Sequence, residues 1–149
     1  MDQKSIHNFI WAPIFLIGLL SLAFGFIWVL HPEPWLLDQP ANEALLQTSF
    51  NELFSEDANK FLPFYLIVIY RFLGLWLITI GLLVLSYVKI TKLGTKQARL
   101  LIHSTLFLTL ISMYYLIFKY LPTSPLIPTL YIFTLFLGLS IYFSGRITL

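Results

Sequence analysis

Four long apolar stretches constrain this chain more than any other feature of its sequence. They cover about residues 9–30, 66–88, 100–118 and 128–147. Each approaches the roughly 20 residues that an α-helix needs to cross the ~30 Å hydrocarbon core of a bilayer. Because 58% of the residues are hydrophobic and only 11% are charged, the polar surface is too small for a water-soluble domain of this length. The sequence therefore predicts an all-α integral membrane protein.

The expected architecture is an antiparallel bundle of four transmembrane helices, forming one membrane domain over residues 1–149. The first span is not expected to be a cleavable signal. Its apolar run is longer than the roughly 7–15 residues of a signal core. In addition, HPEP follows it where a cleavage site would need small residues.

Basic residues in the short connections predict the orientation of these helices. Lys and Arg concentrate on the cytoplasmic side of membrane proteins. One side of the predicted bundle carries six basic residues and the other carries only Lys60 and Lys119. The six are Lys4, Lys89, Lys92, Lys96, Arg99 and Arg146. We therefore expect both termini to be cytoplasmic and the loop 31–60 to lie outside.

The outer loop 31–60 contains the only substantial region predicted outside the membrane. Its first part, HPEPWLLDQP, has three prolines that prevent the first helix from continuing. Asn42 is then a candidate N-cap, and Leu46, Phe50, Leu53 and Phe54 follow at helical spacing. This pattern predicts one short amphipathic helix, which would either finish the bundle as a structural cap or cover a cavity as a lid.

Glycines recur at a spacing of seven residues in three of the four spans. The pairs are Gly18 and Gly25, Gly74 and Gly81, and Gly138 and Gly145. Seven residues are nearly two helical turns, so both members of a pair lie on one face. Small residues allow membrane helices to approach closely, and we expect these three faces to form helix-packing seams. A ligand passage is the alternative interpretation.

A single arginine lies near the outer end of the second span, in the stretch YRFLGLWLITIGLL that begins at Tyr70. Three interpretations of Arg71 remain open. Its guanidinium could extend to the outer headgroups, pair with Glu33 or Asp38 of the outer loop, or bind an anionic ligand. In the last case Tyr70 and Trp76 would lie near the ligand. The structural pair would hold the HPEP region down on the bundle.

Residues for most catalytic chemistry are missing or separated. Cys is absent, which excludes disulfides and thiolate chemistry. His7 and His103 belong to the cytoplasmic side and His31 to the outer side, so the three cannot meet in one metal site. We identify no catalytic residues, no metal site and no cofactor. The formal net charge of +2 is too small to indicate nucleic-acid binding.

The stretch YRFLGLWLITIGLL resembles a pattern in small four-span bacterial membrane proteins of the DoxX-like family. In that pattern an arginine enters a helix, and glycines follow three and ten residues later, here Gly74 and Gly81. One span and a Pro–Glu–Pro outer segment precede it, so the resemblance covers about the first ninety residues. It implies four helices in a bacterial inner (plasma) membrane. Some relatives are accessory subunits of quinone or sulfur redox systems, but the motifs of such activity are not found here.

These observations predict a small non-catalytic membrane protein, either an accessory or assembly subunit or a binder of a hydrophobic molecule. Its partners would be the lipid bilayer and, in addition, another membrane protein or a second copy of the chain. The alternative is a membrane enzyme or transporter for a lipid-like or quinone-like substrate, with Arg71 as its anchor.

Overall fold

The computed structural model describes residues 2–147, and all regular secondary structure in that range is helical. The helices are α1 (Gln3–Leu30), α2 (Gln39–Leu46), α3 (Phe50–Ser55), α4 (Leu62–Thr91), α5 (Lys96–Tyr120) and α6 (Ile127–Ser144), with 3₁₀ turns at Pro34–Asp38 and Asp57–Asn59. Helices α1, α4, α5 and α6 are long and apolar enough to cross a membrane. The prediction of four apolar helices of spanning length is confirmed.

Polar caps extend two of these helices, α1 and α5, beyond their apolar stretches. Helix α1 begins at Gln3 because the Asp2 side chain accepts a hydrogen bond from Ser5 N (2.9 Å). Helix α5 begins in the same way, with the Thr95 hydroxyl accepting from Ala98 N (3.1 Å). Helix α4 begins with Pro63 in its first turn. A backbone N–H at this position has no partner within the helix, so the lack of one in proline costs no hydrogen bond. All three helices therefore start outside the predicted apolar spans.

Residues 31–60, called the cap segment below, contain two short α-helices rather than the single amphipathic helix that was predicted. The break is at Gln47, whose φ of 55° ends α2 in the left-handed conformation. Ser49 then starts α3 by accepting a hydrogen bond from Glu52 N (3.2 Å), as is usual for a serine N-cap. Asn42 lies inside α2 and is not an N-cap. The continuous apolar spacing concealed this break.

Helix α1 lies at the centre of the four long helices. It packs most extensively against α4 and, on its other side, against α6. Helix α5 packs mainly against α6, so the long helices form a row in the order α4, α1, α6, α5. The fully buried side chains of Ile10, Ile14 and Val88 lie in the core of this row. Large apolar side chains remain exposed along α4 and α5.

The row has two distinct ends. At the cap end, the cap segment covers the helices. At the turn end, residues 92–95 join α4 to α5, and Lys92 and Leu93 both adopt left-handed conformations, with φ of 48° and 52°. The Tyr87 hydroxyl donates to the Ala98 carbonyl oxygen (3.1 Å) across this turn. At the turn end, α4 and α5 are therefore held together, although the two helices share little contact along their length.

Glycines allow the backbones of α1 and α4 to touch, and we call this contact the glycine seam. A Cβ atom at Gly25 would lie 2.7 Å from the Gly74 carbonyl oxygen, and one at Gly74 would lie 2.9 Å from the Gly25 carbonyl oxygen. A Cβ at Gly81 would lie 2.8 Å from the carbonyl oxygen of Gly18 and 2.7 Å from Leu22 N. No side chain larger than hydrogen fits these positions without moving backbone.

The third glycine pair does not form a seam within the described chain. A Cβ at Gly138 would meet nothing within 4 Å, and one at Gly145 would meet only a carbonyl of its own helix. Helix α6 instead buries Leu130, Leu137 and Ser140. That face is rotated away from Gly138, since adjacent residues on a helix are about 100° apart.

Candidate functional site

Tyr70, rather than Arg71, connects α4 to the cap segment. Asn42 Nδ2 donates to the Tyr70 hydroxyl oxygen (2.8 Å) and to the Asp38 carbonyl oxygen (2.9 Å). The Tyr70 ring also packs on Trp28, with the ring centroids 5.2 Å apart. Since the next residue on a helix points about 100° away, Arg71 faces outward. Its side chain is exposed and has no hydrogen bond or ion pair within residues 2–147.

Of the two carboxylates considered as partners of Arg71, Glu33 is exposed and Asp38 is buried, with 5% of its surface accessible. The Ser124 hydroxyl, in the turn between α5 and α6, donates to Asp38 Oδ1 (3.0 Å). Asp38 is therefore paired with a neutral hydroxyl instead of a guanidinium. Asp38 and Arg71 do not pair because the cap segment folds over the α5–α6 turn and not over the face of α4 that carries Arg71.

Burial raises the pKa of the Asp38 carboxyl above its ordinary value of 3.8, and the Ser124 hydrogen bond opposes this only in part. Between pH 3.8 and the raised pKa, the folded chain binds a proton that the unfolded chain has released. The free energy of unfolding therefore falls as pH rises through that window and is constant above it. Once ionised, Asp38 therefore weakens the cap end.

A pocket of about 230 Å³ lies beneath the cap segment, between it and the first turns of α4. Its walls are apolar, with Leu45, Leu46 and Phe50 among them, and Asn42 and Tyr70 supply its polar groups. Trp76 is 56% exposed and packs edge-on against Phe72. Of the predicted outer residues, Tyr70 borders this pocket, whereas Arg71, Trp76, Glu33 and Asp38 do not.

Arg99 is a buried arginine that the sequence did not single out. Only 4% of its surface is accessible. Its Nη1 donates to the carbonyl oxygens of Leu93 (3.1 Å) and Gly94 (3.2 Å). A cation near the last carbonyls of a helix offsets the negative end of the helix dipole, so Arg99 stabilises the turn that follows α4. No described carboxylate pairs with it.

One turn further along α5, His103 takes part in a chain of hydrogen bonds that crosses three helices. Its Nε2 lies 2.8 Å from Ser140 Oγ, and Ser140 Oγ donates to the Ile10 carbonyl oxygen (2.6 Å). A hydroxyl has one proton to donate. Because Ser140 gives that proton to Ile10, it must accept from His103. The imidazole therefore carries a proton on Nε2.

An open cleft of about 570 Å³ lies between α5 and α6 at the turn end. We call it the α5–α6 cleft. Its polar wall comes from the start of α5 and includes Lys96, Arg99, His103 and Ser104. Apolar side chains complete the wall, among them Leu100, Phe107 and Ile141. The cleft thus has the amphiphilic lining of a site for a molecule with a polar group and an apolar part.

Part of this cleft was detectable in the sequence. Lys96, Arg99, His103 and Phe107 are spaced by three or four residues, which places them on one helix face. The two basic residues also fit the positive-inside pattern, and His103 cannot meet both other histidines in one site. Its partner Ser140 is 37 residues away, and no local pattern connects the two.

Within residues 2–147, no three His, Cys, Asp or Glu side chains are grouped so that they could hold a metal ion. Compared with protein-family models, curated proteins and solved structures, the chain has no match.

Proposed function

We propose that this chain is an integral membrane protein whose four long helices cross the bilayer in alternating directions. The length and apolarity of α1, α4, α5 and α6 support this. The contacts of the glycine seam support opposite directions for α1 and α4, since Leu22 meets Gly81 and the later residue Val29 meets the earlier residue Gly74. The basic residues favour a cytoplasmic turn end and an outer cap segment. The DoxX-like resemblance suggests a bacterial inner membrane.

We propose further that the protein is a non-catalytic binder of a lipid-like molecule, which it holds in the α5–α6 cleft. The observation that carries this proposal is the combination, in one cleft of about 570 Å³, of a buried arginine with apolar walls. A polar ligand alone would not need the apolar part, and a bare hydrocarbon chain would not need the arginine. An amphiphile satisfies both halves of the lining.

The test is to fill the cleft without disturbing the fold. Ser104 lines the cleft, is exposed, and bonds only to the Leu101 carbonyl of its own helix. We expect Ser104→Trp to lose lipid that co-purifies with the wild-type protein in mild detergent. Native mass spectrometry and extraction of the bound lipid would measure the loss.

Ser112 provides the matched control. It is also exposed on α5, bonds the Leu108 carbonyl of its own helix, and does not line the cleft. Ser112→Trp should retain the lipid of the wild-type protein. Equal lipid content in both tryptophan variants, or a wild-type protein that carries no lipid, would contradict binding in this cleft.

The pocket beneath the cap segment favours a second candidate, a membrane enzyme or transporter for a lipid-like or quinone-like substrate. The Tyr70 hydroxyl accepts from Asn42 and still has its own proton to donate, so it could there bind a carbonyl group among apolar side chains. Arg71, the anchor expected from the sequence, does not line this pocket. Tyr70→Phe should weaken binding of a short-chain quinone if this candidate is right, as measured by tryptophan fluorescence.

An accessory or assembly role is compatible with lipid binding. The exposed apolar faces of α4 and α5 could contact another membrane protein or a second copy of the chain as well as lipid. Co-purification of a second chain under mild extraction would support this role.

A further inference from the structure

We infer that the polar group held in the α5–α6 cleft is a phosphate anion, the headgroup of an anionic phospholipid being its source. This inference rests on the proposed function and specifies the ligand of the same cleft.

Among the described residues, the lining of the cleft is cationic and contains no counter-charge. Lys96 and Arg99 each carry a full positive charge. No carboxylate of residues 2–147 lines the cleft. Six of the seven acidic residues of the chain lie in the cap segment, and the seventh, Asp2, caps the start of α1. An anion from outside the chain would therefore meet attraction without competition from a nearby side chain.

Arg99 retains donors for such an anion. Its two described hydrogen bonds both come from Nη1 and go to neutral carbonyls. Among residues 2–147, no side-chain nitrogen is both fully buried and without a partner, so Nε and Nη2 of Arg99 reach accessible space, and the residue lines the cleft. A guanidinium binds phosphate strongly through its planar fork of donors. A buried charge without an anionic partner gains most from such a ligand.

His103 can contribute in the same direction. Since its Nε2 donates to Ser140, Nδ1 is the nitrogen left for a ligand, and no described group bonds to it. An anion in the cleft would favour a proton on Nδ1 and a positive imidazolium. The start of α5 at Lys96 adds the positive end of a helix dipole. The end of α6 at Ser144 adds a negative one, but each dipole end is about half a charge.

The spacing of the donors favours phosphate over carboxylate. Lys96, Arg99 and His103 occupy positions i, i+3 and i+7 of one helix face, and the hydroxyl of Ser144 also lines the cleft. A planar carboxylate is satisfied by one guanidinium fork, whereas phosphate presents several oxygens in different directions. Leu100, Phe107 and Ile141 then accommodate the first part of an acyl chain, which free phosphate lacks.

The experiment compares three probes on the full chain in detergent micelles. They are short-chain phosphatidylglycerol, short-chain phosphatidylcholine and inorganic phosphate, and the readout is the dissociation constant from tryptophan fluorescence. We expect phosphatidylglycerol to bind at least tenfold more tightly than the zwitterionic lipid, because the choline cation of the latter cancels the charge of its phosphate and is repelled by Lys96 and Arg99. Equal binding of phosphatidylglycerol and inorganic phosphate would support the phosphate class and assign a soluble source.

The variant is Lys96→Gln, because Arg99 also supports the turn after α4 and its replacement could unfold that end. Lys96 is exposed and makes no described hydrogen bond. Losing one charged contact should weaken phosphatidylglycerol binding roughly tenfold. Lys89→Gln is the control, since Lys89 is exposed in the last turn of α4 and does not line the cleft. It removes the same charge at the same end of the helices and should leave binding unchanged.

The outcomes separate the two proposals. The phosphate inference would be overturned if both lipids bound equally well and if Lys96→Gln and Lys89→Gln had the same effect on binding. The proposal that lipid binds in the α5–α6 cleft would still stand if Ser104→Trp abolished lipid binding. Binding that Ser104→Trp does not reduce, or no lipid binding at all, would instead contradict the proposed function itself.

Discussion

The glycine seam leads to the sharpest prediction about stability. Replacing Gly25 with alanine adds one Cβ atom, which would lie 2.7 Å from the Gly74 carbonyl oxygen and 2.7 Å from Ile78 N. Both obstacles are backbone atoms, so no side-chain rotation can relieve the clash. Ordinary contact begins at 3.4 Å. The backbones of α1 and α4 must therefore separate by about 0.7 Å at this level, and the side chains around them lose contact.

The magnitude follows from two opposing effects. Overpacking in a close-packed interior costs about 1–3 kcal/mol, and the rigid backbone on both sides places this case near ~3 kcal/mol. Alanine is also a better helix former than glycine by about 1 kcal/mol. The expected net loss in the free energy of unfolding is then about 2 kcal/mol.

Gly138→Ala is the matched control, because a Cβ there would meet nothing within 4 Å. It receives the helix-forming gain without the clash and should be more stable than wild type by up to about 1 kcal/mol. The two variants should thus differ by about 3 kcal/mol. Reversible unfolding in mixed micelles, followed by circular dichroism, measures both. If Gly25→Ala proves as stable as Gly138→Ala, the backbone contact between α1 and α4 is not formed as described.

Three further variants test individual contacts by the same unfolding assay. Asp38→Asn keeps an acceptor for Ser124 but cannot ionise. As pH rises from 3.8 through the raised pKa of Asp38, wild-type stability should fall relative to that of the variant, and parallel curves would exclude Asp38 as the cause. Arg71→Gln should change the unfolding free energy by less than about 0.5 kcal/mol, and a larger loss would show that its guanidinium has a structural partner. Ser140→Ala removes the acceptor of His103 and should cost about 1–3 kcal/mol; a neutral result would contradict the described hydrogen-bond chain.

The spanning helices could be predicted because their signal is local. An apolar stretch of about 20 residues identifies itself whatever surrounds it. The cap segment is local too, but two signals compete there. Apolar spacing through Leu46 and Phe50 favours one continuous helix, whereas the N-cap preference of Ser49 favours a new start. In the structure, α2 ends at Gln47 in the left-handed conformation, and Ser49 is the N-cap of a new helix.

The pairing of helices was only partly predictable. A spacing of seven residues places two glycines on one face, but it does not choose which face is buried. Gly25 and Gly81 meet backbone across the seam, whereas Gly138 is exposed at the same spacing. On α6 the buried face is chosen by Ser140 and its hydrogen bond to Ile10, 130 residues away. Small residues permit a close contact, and distant polar groups can outweigh them in deciding where it forms.

Arg71 and Arg99 show that the candidate site, too, could be predicted only in part. Both lie near the end of an apolar span, and depth in the bilayer drew attention to Arg71. What distinguishes Arg99 is the left-handed turn at Lys92 and Leu93, which presents two carbonyl oxygens to the guanidinium. That turn contains no glycine at either left-handed position, so no local pattern predicts it.

The central position of α1 in the helix row also has a consequence for how the chain is assembled. In chain order α1 is synthesised first and meets its main neighbour only when α4 follows, and its second neighbour only with the last helix. A break within residues 92–95 would leave α1 and α4 with their mutual contact intact. It would leave α5 and α6 without the Ile10 carbonyl that binds Ser140. The pair of α1 and α4 can therefore form first and provide the surface against which α5 and α6 then pack.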